Sequence, residues 1–115
     1  MKDYMMIFIG ADYEELGLSP EQLQDKMSKW FAWNSKMQEQ GILREGNALK
    51  APAKRVSGSD KTVTDGPFVE GKELIGGYYI INVEDADAAA KVAEDYPDYD
   101  LGGIVEIREV MVFDQ

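Results

Sequence analysis

The sequence contains no cysteine and no histidine among its 115 residues. Without cysteine the chain has no disulfide framework, no thiolate nucleophile and no cysteine metal site. Without histidine it lacks the commonest general base and the commonest zinc ligand. These absences exclude catalysis by Ser-His-Asp or Cys-His arrangements. We therefore expect no metal ion and no cofactor in this protein.

Basic residues are also scarce, with 12 Lys and Arg against 22 Asp and Glu and a net charge of −10. Binding to nucleic acid requires clustered cations that neutralise phosphates, and an acidic chain is repelled on average. DNA and RNA are therefore rejected as partners.

Long apolar runs are missing as well. The run at residues 5–9 is shorter than the core of about 7–15 residues in a signal peptide. It is also shorter than the ~20 residues of a membrane span. We expect no membrane association, and the absence of an export signal and of cysteine predicts a cytoplasmic protein. The 44% hydrophobic content suits one domain over residues 1–115.

Three segments are predicted to be strands that are apolar on both faces, at residues 2–10, 75–83 and 103–113. In the first, Tyr4, Met6 and Phe8 share one face. Between them, residues 54–64 resemble a polar hairpin around a turn-forming cluster.

A helix is predicted from Pro20 to Gln40, because Ser19 and Gln22 can form a capping box around Pro20 at the first helical position. Three- and four-residue spacing predicts one buried stripe, widened at its edges, formed by Leu23, Met27, Trp30, Phe31, Trp33 and Met37. Asn34 falls on that stripe, so its amide is expected either to form a hydrogen bond within the core or to face a pocket.

A second helix is predicted from residue 86 to 96, with its end at Pro97. The acidic run at residues 95–100 suggests a cation site, because hard cations bind several carboxylates. It lacks the spacing and terminal Glu of a known calcium loop, and we interpret it as a solvated acidic linker.

The strand-helix-strand unit appears near each end of the chain, with the hairpin between. This order predicts an α+β fold, a ferredoxin-like βαβ repeat with an inserted hairpin. Two helices can cover only one face of the sheet, although three strands are apolar on both faces. We therefore expect a homodimer packed sheet against sheet, which closes into a dimeric α+β barrel.

The turn at residues 64–68 contains residues that packing alone explains poorly. The carboxylate of Asp65 would ordinarily accept a hydrogen bond from the N–H two residues on, but that residue is Pro67, which has none. Asp65 therefore either shapes the turn, by accepting from Phe68 N–H or from a more distant donor, or stays available to a ligand.

With these motifs the chain resembles the YCII-related proteins, also called the DGPF family. The resemblance covers nearly the whole length and rests on residues 64–73, 76–79 and 105–110. It implies a dimeric α+β barrel of ferredoxin-like protomers. The family's function is poorly defined; some relatives are suspected enzymes with an Asp and a His in a cleft, and some occur beside or fused to sigma factors of the extracytoplasmic type.

The Asp of the family motif carries over to Asp65, but the His does not, since residues 101–103 are Leu-Gly-Gly where some relatives have it. Our first hypothesis is a small-molecule-binding module with a cleft lined by Trp33, Asn34, Asp65, Phe68 and Tyr78. The alternative is an enzyme in which Asp65 is the general acid or base, acting on a small organic substrate. A purely structural or partner-docking role is the third.

Overall fold

The computed structural model describes residues 1–66 and 74–114. Within them, three helices, six strands and a single 3₁₀ turn (Tyr99–Leu101) follow one another in the order β1 (Lys2–Ile9), α1 (Tyr13–Leu16), α2 (Pro20–Glu39), β2 (Leu43–Ala48), β3 (Lys54–Ser57), β4 (Thr62–Asp65), β5 (Ile75–Val83), α3 (Ala86–Ala93) and β6 (Ile104–Glu109).

Four strands form an antiparallel sheet in the order β2-β5-β1-β6, so that β1 and β5 are central. The predicted α+β class is therefore confirmed. This sheet is open, with β2 and β6 at its edges, and a single chain forms no closed barrel. Closure of a barrel by a second copy remains a prediction. Strands β3 and β4 pair separately as the predicted hairpin.

The core lies between one face of the sheet and the two longer helices. It is formed by alternate residues of the central strands and by side chains of α2 and α3, namely Tyr4, Met6, Phe8, Ile81, Val83, Trp33, Met37, Ala89 and Ala93, together with Tyr96. Alternation along a strand directs the intervening residues to the opposite face. Met5 and Ile7 on that face are only partly buried.

Helix α2 begins as predicted. The Ser19 hydroxyl accepts a hydrogen bond from Gln22 N–H at 3.2 Å, and Ser19 N–H donates to Gln22 Oε1 at 2.8 Å. The predicted buried stripe is wrong in part, because Leu23, Met27 and Phe31 are exposed. The buried positions are Lys26, Trp33 and Met37. The helix packs the side with these three residues against the core, so the side with Met27 and Phe31 stays exposed.

Two predicted ends are also corrected. Helix α3 ends at Ala93 and not at Tyr96, although Tyr96 is still buried. Strand β6 ends at Glu109, opposite Tyr4 of β1, and the residues up to Phe113 are not in a strand. Within the described part of the chain, none of the helices combines the length and the apolar character that crossing a membrane requires.

Candidate ligand-binding cleft

A cleft of about 750 Å³ opens between the exposed side of α2 and the sheet. Its described walls are one side of α2, the C-terminal end of β1 with residues 10–14, the end of β2 with the residues that follow it (47–52), and the start of β5. Met27, Trp30, Phe31 and Asn34 recur at helical spacing and form the α2 wall. This volume lies in the range of small-molecule sites.

The inner wall of the cleft is aromatic. Phe8 stacks on Tyr96 with ring centroids 5.2 Å apart, and it meets Tyr79 edge to face at 5.4 Å. Trp30 packs edge to face against Phe8 at 5.2 Å and against Tyr96 at 5.6 Å. Such pairs contribute beyond their buried area and hold one another in place. The cleft is therefore bounded by a fixed layer of rings.

A chain of hydrogen bonds starts at Trp30 of this layer, passes through Tyr13 and ends on the buried carboxylate of Asp98. The indole N–H of Trp30 donates to Tyr13 Oη at 2.9 Å, and the Tyr13 hydroxyl lies 2.8 Å from each oxygen of Asp98. Because Trp30 occupies Tyr13 Oη as a donor, the hydroxyl proton is directed to Asp98. Asp98 is only 4% exposed, and with Tyr13 it contributes to the cleft wall.

The positive charge of the buried Lys26 partly compensates the negative charge of Asp98. Its Nζ donates to the Pro97 carbonyl at 2.8 Å, forms an ion pair with Asp100 and lies 3.8 Å from Asp98 Oδ1. Burial raises the pKa of Asp98, opposed by the Tyr13 hydrogen bond and the Lys26 charge. The Lys26 hydrogen bond lowers the pKa of Asp100.

The interpretation of residues 95–100 as a solvated linker is therefore wrong for Asp98. Asp95 does lie at the surface, where it pairs with Lys36 at 2.8 Å. Asp98 instead takes a core position because the Tyr13 hydroxyl and the Lys26 ammonium, both distant in sequence, satisfy its carboxylate.

Asn34 is the polar residue of the α2 wall. Its Oδ1 is buried and has no hydrogen-bond partner among residues 1–66 and 74–114. Of the two expectations for this amide, the structure shows the second, since Asn34 borders the cleft. A buried acceptor without a donor costs on the order of 1–3 kcal/mol. Its position favours a molecule that brings a donor.

The other predicted site residues lie elsewhere or cannot be assessed. Trp33 is buried in the core, where its indole N–H donates to the Val92 carbonyl at 3.1 Å. Tyr78 accepts a hydrogen bond from Asn47 Nδ2 at 3.0 Å. Neither belongs to the described lining of the cleft. Phe68 lies outside the described residues.

Asp65 ends β4 on the hairpin, where its side chain is 75% exposed and accepts a hydrogen bond from Lys54 Nζ at 2.7 Å. Of the alternatives for the Asp65 carboxylate, the structure shows a more distant donor, which is Lys54, directly across the hairpin. Asp65 is not part of the described cleft lining, although the hairpin adjoins it, since Ala51 and Pro52 border the cleft just before β3.

Tyr13 and Lys26 had no place in the sequence hypotheses, and Asp98 was considered only as part of the acidic run at residues 95–100. Lys26 did leave a signal, because it precedes Trp30, Trp33 and Met37 at four-, seven- and eleven-residue spacing on the buried stripe. Tyr13 lies outside the segments predicted from the sequence, and the structure places it in the short helix α1 behind its N-cap Asp12.

The fold and the cleft define a small α+β protein with a four-stranded antiparallel sheet and a ring-lined cavity beside its longest described helix. The family model of the YCII-related domain matches residues 4–114, nearly the whole chain. The protein belongs to the YCII-related domain family, as its motifs indicated. Comparison with curated proteins gave no significant match.

Proposed function

We propose that this protein binds a small organic molecule in the cleft between α2 and the sheet. The observation that carries the proposal is Asn34 Oδ1, which lies at the wall of an aromatic cleft and has no hydrogen-bond partner among the residues that the structure describes. Ligand sites are concave and mostly apolar, with a few polar groups that fix orientation. Asn34 and Asp98 are those polar groups here, and Trp30 and Phe31 supply the ring contacts.

The proposal moves the site from the Asp65 turn to the α2 wall. Of the five residues first proposed to bind a ligand, Asn34 keeps that role. Trp33 supports the site from the core, behind Phe8 and Trp30, with ring centroids 5.8 and 5.5 Å away. Ala51 and Pro52, which border the cleft, come just before β3 of the hairpin that carries Asp65.

A test by NMR uses the two tryptophans of the chain as reporters. A fragment library is added to ¹⁵N-labelled protein, and the indole N–H signals of Trp30 and Trp33 are followed. We expect hits that shift the Trp30 signal strongly and the Trp33 signal weakly, because only Trp30 borders the cleft. A library without such a hit contradicts the proposal.

A pair of variants checks where the hits bind. Phe31 borders the cleft and is 64% exposed, whereas Val56 is similarly exposed on the hairpin. Phe31→Ala is expected to weaken hits by about tenfold, equivalent to about 1.4 kcal/mol of lost contact. Val56→Ala is expected to leave their affinity unchanged. Equal affinities in both variants place the hits outside the cleft.

We also propose that the protomer is ferredoxin-like and pairs with a second copy through the sheet face opposite the helices. The strand order β2-β5-β1-β6 supports the first part. The apolar, partly buried side chains on that face, among them Met5, Ile7 and Ile80, support the second. Light scattering at micromolar concentration is expected to give twice the chain mass; the mass of a single chain contradicts the dimer.

A second candidate function is proton transfer on the bound molecule. The observation that favours it is Asp98, a cleft carboxyl whose pKa is raised by burial. Asp98, rather than the exposed Asp65, has the surroundings of a catalytic acid or base. Incubation of each hit with wild type and with Asp98→Asn, followed by mass spectrometry and NMR, separates the candidates. Conversion by wild type alone supports catalysis, and an unchanged hit supports binding.

A further inference from the structure

The charges at the cleft are mainly negative. Asp12, Glu14 and Asp98 contribute three carboxylates among the described lining residues, against the single ammonium of Lys50. The Lys26 ammonium near Asp98 is offset by Asp100, with which it forms an ion pair. The whole chain carries a net charge of −10. A cleft with one sign of charge and low-dielectric walls concentrates ligands of the opposite sign.

The inner wall presents two side-chain acceptors, the amide oxygen of Asn34 and the carboxylate of Asp98. Asn34 Oδ1 has no donor within the described part of the chain. Asp98 receives one hydroxyl proton, from Tyr13, and a carboxylate has about four lone-pair sites. Tyr13 itself is occupied, because it accepts from Trp30 and donates to Asp98. A ligand that donates hydrogen bonds matches these two acceptors.

The aromatic layer favours the same kind of ligand. Trp30, Tyr79, Phe8 and Tyr96 all border the cleft. The face of an aromatic ring is negative, and it attracts a cation, most strongly for tryptophan. The same rings offer van der Waals contact to a flat apolar group. Ring faces, acceptors and charge therefore all favour one class of molecule.

We propose that the ligand of this cleft is an organic cation, an amine or amidine that carries a flat apolar group. This inference rests on the proposed binding function and adds the chemical class to it. The N–H group of the ligand donates to Asn34 Oδ1, its charge lies among the cleft carboxylates, and its apolar group packs on the Trp30 side of the ring layer.

The test compares three probes of matched shape that differ in charge: 1-naphthylmethylamine, 1-naphthalenemethanol and 1-naphthoate. Dissociation constants are measured at neutral pH from the Trp30 indole signal. The amine is expected to bind at least about tenfold more tightly than the alcohol, and the carboxylate more weakly than both. Added salt is expected to weaken the amine more than the alcohol, because only the amine depends on charge attraction.

The variant Asn34→Leu tests the hydrogen bond. The substitution removes an unpaired acceptor and keeps a similar volume, so melting followed by circular dichroism should show a stable fold. A hydrogen bond to a charged group is stronger than one between neutral groups. We therefore expect the amine to lose at least tenfold in affinity. Lys29→Leu is the control and is expected to have little effect on affinity. Lys29 lies on the same helix but outside the described cleft lining.

The failure of this inference differs from the failure of the proposed function. If the alcohol or the carboxylate shifts Trp30 with an affinity equal to or greater than that of the amine, the cationic class is overturned and the binding function stands. If no probe shifts Trp30, the inference is again overturned, and the wider fragment library decides the function. If Asn34→Leu binds the amine like wild type, the assigned role of Asn34 is overturned.

Discussion

Replacing Lys26 by methionine is expected to lower the free energy of unfolding by about 3–5 kcal/mol at neutral pH, because one partner of a buried ion pair is lost. Lys26 is 5% exposed, and its ammonium lies 3.8 Å from Asp98 Oδ1. Methionine retains the apolar stem and removes the charge. Asp98 then keeps the Tyr13 hydrogen bond but loses the nearby positive charge that offsets its burial. Urea denaturation followed by circular dichroism measures the difference.

Lys29→Met is the matched control for this experiment. Lys29 lies one turn further along α2, with its side chain 55% exposed, and pairs with Asp25 at 3.2 Å. An exposed pair of this kind contributes about 0–1 kcal/mol. A loss in Lys26→Met no larger than that of Lys29→Met contradicts the buried pair.

The loss in Lys26→Met is expected to depend on pH with a definite sign. Burial raises the pKa of Asp98 above its ordinary value, and removing the nearby Lys26 charge raises it further. The folded variant therefore binds this proton more tightly than the unfolded chain does. Its deficit is present above the raised pKa and shrinks as the pH falls through it. The double variant Lys26→Met with Asp98→Asn, which carries no buried charge there, is expected to recover stability at neutral pH.

Trp33→Ala is expected to cost about 3–5 kcal/mol of stability, the usual range for removing a buried tryptophan. Trp33 is 3% exposed and packs against Phe8, Trp30, Tyr79 and Tyr96. The variant also loses the hydrogen bond from its indole to the Val92 carbonyl. Domains of this kind have about 5–15 kcal/mol in total, so the effect is a large fraction.

Phe31→Ala provides the contrast on the same helix. Phe31 is 64% exposed, and its truncation is expected to change stability by no more than about 0.5 kcal/mol. Stability and binding are thus expected to separate: Trp33→Ala loses mainly stability, and Phe31→Ala loses mainly affinity. A Trp33→Ala variant that is as stable as wild type but no longer binds hits would restore Trp33 to the site proposed from the sequence.

The main elements could be predicted because their causes are local. The cap of α2 depends on Ser19 and Gln22, and the central strands depend on an alternation that β1 and β5 show directly. The hairpin followed from its turn residues. The register of the hairpin, in which Val56 pairs with Val63, also places Lys54 opposite Asp65. The partner of Asp65 could therefore have been inferred by extending this pairing two residues outward.

The polar part of the site could not be predicted in the same way, because its causes are tertiary. Tyr13 and Asp98 are 85 residues apart in sequence, and Lys26 and Asp100 are 74 apart. A buried stripe predicted from apolar residues alone omits Lys26, because lysine is charged. Its apolar stem and its partners, which are distant in sequence, nevertheless allow it to be buried. Within an acidic run, one buried Asp looks the same as its solvated neighbours. Conversely, Asn34 was identified because an amide on an apolar stripe demands a partner.

The most direct test of a binding cleft beside α2 is a crystal structure of the protein with the tightest hit of the fragment screen. We expect the ligand against Trp30, with a donor within hydrogen-bond distance of Asn34 Oδ1. A ligand bound at another surface, with the cleft filled only by water, would contradict the central claim.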